Sequence, residues 1–135
     1  MKNLIYFSFL LISLASCKKA IDKAKEDAVI EIMVEGQWYV SKYLKANIDV
    51  TKDFAGYTFQ FFENRTVDAI KNNTIQKTGT WEGDATAFTI YSNFANAVYP
   101  LSLVNGTFQI TDSSPSFVEA NTTVNGEYRW LRLEK

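Results

Sequence analysis

Residues 57–61 read Tyr-Thr-Phe-Gln-Phe, and residues 74–82 read Thr-Ile-Gln-Lys-Thr-Gly-Thr-Trp-Glu. Tyr57, Phe59 and Phe61 alternate with Thr58 and Gln60, and Ile75, Gly79 and Trp81 alternate with Gln76, Thr78 and Thr80. A period of two marks a half-buried strand, because successive side chains leave a pleated backbone on opposite sides. Working outward, the same alternation recurs at Tyr99, Leu101 and Leu103, and at Phe108 and Ile110. The last run, Glu127 to Leu133, sets Tyr128 and Trp130 on one face and Leu131 and Leu133 on the other. Apolar groups on both faces predict a strand covered on both sides, with an N-terminal helix as the second cover. Asn105-Gly106 and Asn125-Gly126 supply the positive φ angles of type I′ hairpin turns. Glu63-Asn64-Arg65 and Glu82-Gly83-Asp84 read as further turns.

Strands are predicted near residues 37–45, 55–62, 66–71, 74–82, 86–92, 98–104, 107–112 and 126–134. Two connections are long, Ala46 to Phe54 and Ser113 to Asn125. No helix-length segment separates the strands, as a parallel sheet would require. The fold class is therefore mainly β, a small antiparallel up-and-down barrel of about eight strands preceded by one α-helix.

That helix is read from residues 18–35, where Ile21, Ala24, Ala28 and Ile32 recur at helical spacing and Val29 and Met33 widen the stripe. It should run from about Asp22 to Val34 and stop at Gly36. The Ile, Val and Met in the stripe predict a helix packed on the domain.

The first sixteen residues form a secretory signal: Lys2 is the positive start, Leu4 to Leu14 the apolar run, and Ala15 and Ser16 the small residues beside a cut. The apolar run is roughly half of the 20 or so residues that cross a bilayer as a helix. Leu14-Ala15-Ser16-Cys17 resembles the bacterial lipobox, which implies diacylation of Cys17 after cleavage before it. Two or more lipid signals hold a protein stably on a membrane. Lys18 follows the cysteine where an aspartate would favour inner-membrane retention, so the resemblance implies the outer membrane of a bacterial envelope. The organisation is then a signal peptide at 1–16, a lipidated tether and helix at 17–35, and a barrel domain at 36–135.

The 135 residues carry 14 Lys and Arg against 15 Asp and Glu, for a net charge of −1. Nucleic acid, which needs clustered basic residues, is not an expected partner. Cys17 is the only cysteine and there is no histidine. Ser-His-Asp and Cys-His nucleophiles and the usual zinc sites are excluded, and no phosphate-cradling glycine motif occurs. The carboxylate pairs Glu63 with Asp68 and Glu82 with Asp84 flank turns, where solvated side chains are the ordinary outcome. No enzyme, metal or cofactor is expected. The Asn-x-Ser/Thr matches at Asn64, Asn72, Asn105 and Asn121 read as composition.

Gly36-Gln37-Trp38 matches the G-x-W motif that opens the first strand of lipocalins. Together with Tyr57-x-Phe59-x-Phe61, Asn64-Arg65-Thr66-Val67 and Gly79-x-Trp81, it makes residues 34–135 similar to the lipocalin-like domains of bacterial envelope lipoproteins. The resemblance implies a helix closing the barrel base and a long first loop over the open end. It also implies a last-strand arginine, Arg129 or Arg132, stacked over Trp38 as a barrel-closing pair.

Trp38, Phe59, Phe61, Trp81, Phe88, Tyr99 and Leu101 are the candidate inward positions. They either line a pocket for a small hydrophobic molecule, with Tyr99 as a polar handle, or fill a narrow barrel as a solid core. Two functions follow. One is a membrane-held lipocalin-like binder of a small hydrophobic ligand, lidded around Ile48, Val50 and Phe54. The other is a structural or interaction module whose exposed Phe94 and Phe117 meet an envelope protein. An empty apolar space of roughly 300 Å³ favours the first.

Overall fold

A computed structural model describes residues 19–135; the predicted signal segment and Cys17 lie outside the described residues. Helix α1 occupies residues 19–34. Among the described residues nine strands follow: β1 (Tyr39–Lys45), β2 (Ile48–Asp49), β3 (Tyr57–Phe61), β4 (Thr66–Lys71), β5 (Thr74–Asp84), β6 (Thr89–Asn93), β7 (Gly106–Ser114), β8 (Phe117–Val124) and β9 (Glu127–Glu134). Their order in one antiparallel sheet is β2-β1-β9-β8-β7-β6-β5-β4-β3. The first and last long strands pair from Tyr39 with Glu134 to Lys45 with Arg129. The remaining seam, between β1 and β3, is a single bridge of Trp38 with Phe59, whose amides and carbonyls exchange hydrogen bonds of 2.9 and 2.7 Å.

The predicted alternation fixes which side chains turn inward. Phe59, Phe61, Val67, Ala69, Trp81, Val118, Ala120, Leu131 and Leu133 are all buried, and Thr66, Asp68, Thr78 and Thr80 alternate outward. Tyr128 and Trp130 face away from this core, and Tyr128 is exposed, so β9 has no second cover. The helix lies across one mouth of the barrel instead.

One predicted strand and one predicted loop need correction. Residues 98–104 form no strand: Pro100, which has no N–H for a ladder, leads into a short 3-10 helix, Leu101–Val104. With Phe54, at the end of the 3-10 helix Thr51–Phe54, Leu101, Leu103 and Val104 plug the end of the barrel away from α1. Tyr43 ties these plugs together. Its ring stacks on Phe54 at 5.3 Å, its hydroxyl donates to the Leu103 carbonyl at 2.7 Å, and burial pushes its pKa up. Conversely, residues 117–124, read as loop, form β8. Their buried positions are Val118 and Ala120, and the small Ala120 opposite Leu131 gives little apolar signal.

Asn125-Gly126 makes the predicted turn, with φ of 51° and 81°. Asn105-Gly106 does not. Asn105 keeps extended backbone, and its side chain clamps Phe94, accepting from Phe94 N at 2.7 Å and donating to Phe94 O at 3.1 Å. Phe94, predicted as exposed, is 1% exposed and fills the barrel beside Phe59, ring centroids 6.1 Å apart. Gly79 makes room for it: a Cβ there would lie 2.3 Å from the Asn93 carbonyl oxygen and 2.8 Å from the Phe94 ring.

Candidate functional site

Helix α1 is held by its C-terminal end. The last carbonyls of a helix lack intrahelical partners, and here barrel side chains supply them. Lys135 Nζ donates to Ile32 O at 2.8 Å, Trp38 Nε1 to Met33 O at 3.0 Å, and Gln60 Nε2 to Val34 O at 3.2 Å. A cation at this end also meets the negative pole of the helix. Met33 is buried and Val29, Ile30, Ile32 and Val34 pack on the core, whereas Ile21, Ala24 and Ala28 remain exposed. The N-terminal half therefore stands over the barrel mouth with only a peripheral tie, Arg65 to Glu26 at 3.5 Å. The guanidinium of Arg65 lies 5.4 Å from the Trp81 ring centre.

The gap left beneath α1 is an apolar cleft of about 380 Å³. Val29, Ile32 and Met33 form its helical wall, and Trp81, Ile90, Ile110, Val118 and Phe88 its barrel wall. The barrel interior, in contrast, retains about 40 Å³ among Phe59, Phe61, Phe94, Phe108 and their neighbours. That is room for little more than one water. The barrel is a solid core, and an apolar space of ligand size lies at its mouth.

Of the candidate inward residues, Trp81 and Phe88 border this cleft, Phe59 and Phe61 border the small interior space, and Trp38 and Leu101 are packed in the core. Tyr99 does not point inward; it is exposed and its hydroxyl donates to the Asp53 carboxylate. The cation over Trp38 is Lys135, 4.8 Å from the ring centre, and not a last-strand arginine. Arg129 bonds Glu127 at 2.6 Å. Arg132 bonds Glu119 at 2.6 Å and covers the Phe117 ring at 4.1 Å. Ile48 is exposed in β2, and Phe54 is a buried plug where a lid was expected.

Phe88 is unusual in two ways. It is 62% exposed, and its backbone adopts φ of +54°, a region that bulky residues rarely enter. The conformation is fixed by hydrogen bonds to its carbonyl from Ile110 N at 2.7 Å and Gln109 Nε2 at 2.9 Å, while Asp84 accepts from Thr86 N and Ala87 N at 2.9 Å each. An aromatic ring held at a strained turn position on the lip of an apolar cleft is the kind of outlier that collects at ligand sites. The helical wall was legible from the periodicity of Val29, Ile32 and Met33, but the strain at Phe88 was not, since it depends on contacts with β7.

These features define a small antiparallel up-and-down β-barrel with a filled interior, two 3-10 plugs at one end and a helix-covered apolar cleft at the other. No model of a known protein family matches the chain, and no curated protein matches it. Among solved structures, the crystal structure of a DUF4847 family protein from Bacteroides vulgatus is similar over 78% of this chain and 96% of that one, with a TM-score of 0.55 and 16% sequence identity. At that identity the likeness is one of fold, and it supports the barrel-like curled sheet.

Proposed function

We propose that this protein is a non-catalytic, membrane-anchored envelope lipoprotein that binds a small apolar molecule in the cleft beneath α1. The observation that carries the binding function is the contrast between the two spaces: about 380 Å³ of apolar cleft at the mouth and about 40 Å³ inside the barrel. Ligand pockets start near 300 Å³ and are lined mainly by hydrophobic and aromatic side chains. The lipocalin-like resemblance supports a binding role, with the ligand moved from the barrel interior to its rim. Anchoring rests on the lipobox at Cys17, two residues before the first described residue of α1. A lipid there holds the cleft end of the molecule towards the membrane, with Lys18 favouring the outer one. The lack of histidine and the engagement of Asp84 by backbone amides support a non-catalytic site.

The binding function is tested by titrating the purified protein with the uncharged dye N-phenyl-1-naphthylamine. One dye per chain is expected, with fluorescence enhancement. Phe88→Asn separates the site from the fold, because asparagine tolerates positive φ. It should raise unfolding stability by about 1 kcal/mol yet weaken dye binding about tenfold. Unchanged dye affinity in this variant, or no saturable binding by the parent protein, refutes the cleft. Anchoring is tested separately: labelled palmitate should enter the protein in cells and be lost in Cys17→Ser, and equal labelling of both forms would refute it.

A further inference from the structure

The apolar cleft does not stand alone. It adjoins a second, charged cleft of about 730 Å³, and the two share Gly83, Asp84, Ala85 and Thr89 at the tip of the β5–β6 hairpin. Both lie under α1, so an elongated molecule can pass from one to the other over the hairpin.

The two walls of the charged cleft differ. From α1 come Lys19 and Lys23, with Lys25 at the apolar cleft next to them. From the sheet come Glu82 and Tyr91, which are direct cross-strand partners and so project side by side from one face. Tyr91 is partly exposed. Asp22 and Glu26 share the helical wall, and Glu26 is engaged by Arg65. None of Lys19, Lys23 and Glu82 takes part in an ion pair among the described residues. A carboxylate beside an aromatic face suits an ammonium group, through charge and through the ring quadrupole. Lysine ammoniums suit a phosphate or carboxylate as point charges.

We infer that the occupant is a single-chain amphiphile whose head group carries both charges. Its hydrocarbon tail lies in the apolar cleft, its anionic group lies at Lys19 and Lys23, and its cationic group lies against Glu82 and Tyr91. This rests on the apolar cleft being a ligand site. A plain hydrocarbon would leave the charged cleft unused, a cationic head alone would leave Lys19 and Lys23 without a partner, and an anionic head alone would leave Glu82 without one.

The test is displacement of bound N-phenyl-1-naphthylamine by probes sharing a dodecyl or lauroyl chain, all below their micellar concentrations: dodecylphosphocholine, dodecyltrimethylammonium, laurate and dodecanol. Dodecylphosphocholine is expected to displace dye at roughly tenfold lower concentration than dodecanol, and lower than either singly charged probe, since a charge-assisted contact is about twice as strong as a neutral one. Glu82→Gln should weaken dodecylphosphocholine several-fold more than laurate. Dodecanol matching dodecylphosphocholine, while the dye still binds, would overturn the head-group assignment and leave the apolar cleft standing. A singly charged probe matching it would overturn the two-charge head. Failure of the dye to bind at all would overturn both the cleft and the inference built on it.

Discussion

Gly79→Ala is expected to destabilise the barrel by about 3 kcal/mol or more, at the upper end of what overpacking costs. The added methyl would sit 2.3 Å from the Asn93 carbonyl oxygen, a backbone atom that cannot rotate away. To make room, the end of β6 would have to move, and Phe94 with it, whose main chain is gripped on both sides by Asn105. Small domains hold roughly 5–15 kcal/mol in total, so one methyl group removes a large part of the margin. Urea unfolding followed by tryptophan fluorescence measures this directly. A midpoint within experimental error of the parent would mean that the strand end is free to shift and that Phe94 is not locked in the barrel.

Trp38→Ala is expected to cost about 3–5 kcal/mol, the range for emptying a buried aromatic site, and to detach α1 as well. The ring is fully buried, and its indole N–H satisfies the Met33 carbonyl at the end of α1. Trp38→Phe separates these roles. It keeps most of the packing but leaves the buried Met33 carbonyl without that donor, at about 1–3 kcal/mol. Limited proteolysis should then cut within residues 19–34 while the barrel stays intact, and dye binding should fall because one wall of the cleft has loosened. If Trp38→Phe left both protease resistance and dye binding unchanged, the indole hydrogen bond would not be what seats the helix.

Much of the fold was legible because strand periodicity is local. Tyr57 to Phe61 became β3 with Phe59 and Phe61 inward, and Asn125-Gly126 turned as its chemistry dictates. Failures came where tertiary contact overrode pattern. Leu101 and Leu103 alternate like a strand but fold as a 3-10 plug after Pro100. Asn105 carries turn chemistry but uses its amide on Phe94. β8 hid behind alanine, asparagine and threonine, whose burial follows from neighbours. Seven aromatic and aliphatic residues were read as possible pocket walls, and only Trp81 and Phe88 border the apolar cleft. The others could not be separated without knowing that large rings would fill the barrel and that the helix would leave a cleft beneath it at the mouth. The G-x-W motif was a better guide to architecture than to ligand position, since Trp38 caps α1 and Lys135, outside β9, covers it.

The seam between β1 and β3 sets where this molecule can breathe. Every other neighbouring pair of long strands is laced by a ladder of at least four residue pairs, but here one bridge stands alone. Fluctuations open a structure first where the fewest bonds must break, so the cylinder has a slit beside Trp38, at the root of the helix. Any transient parting of the wall would begin there and reach the helix's footing before it disturbed the rest of the sheet.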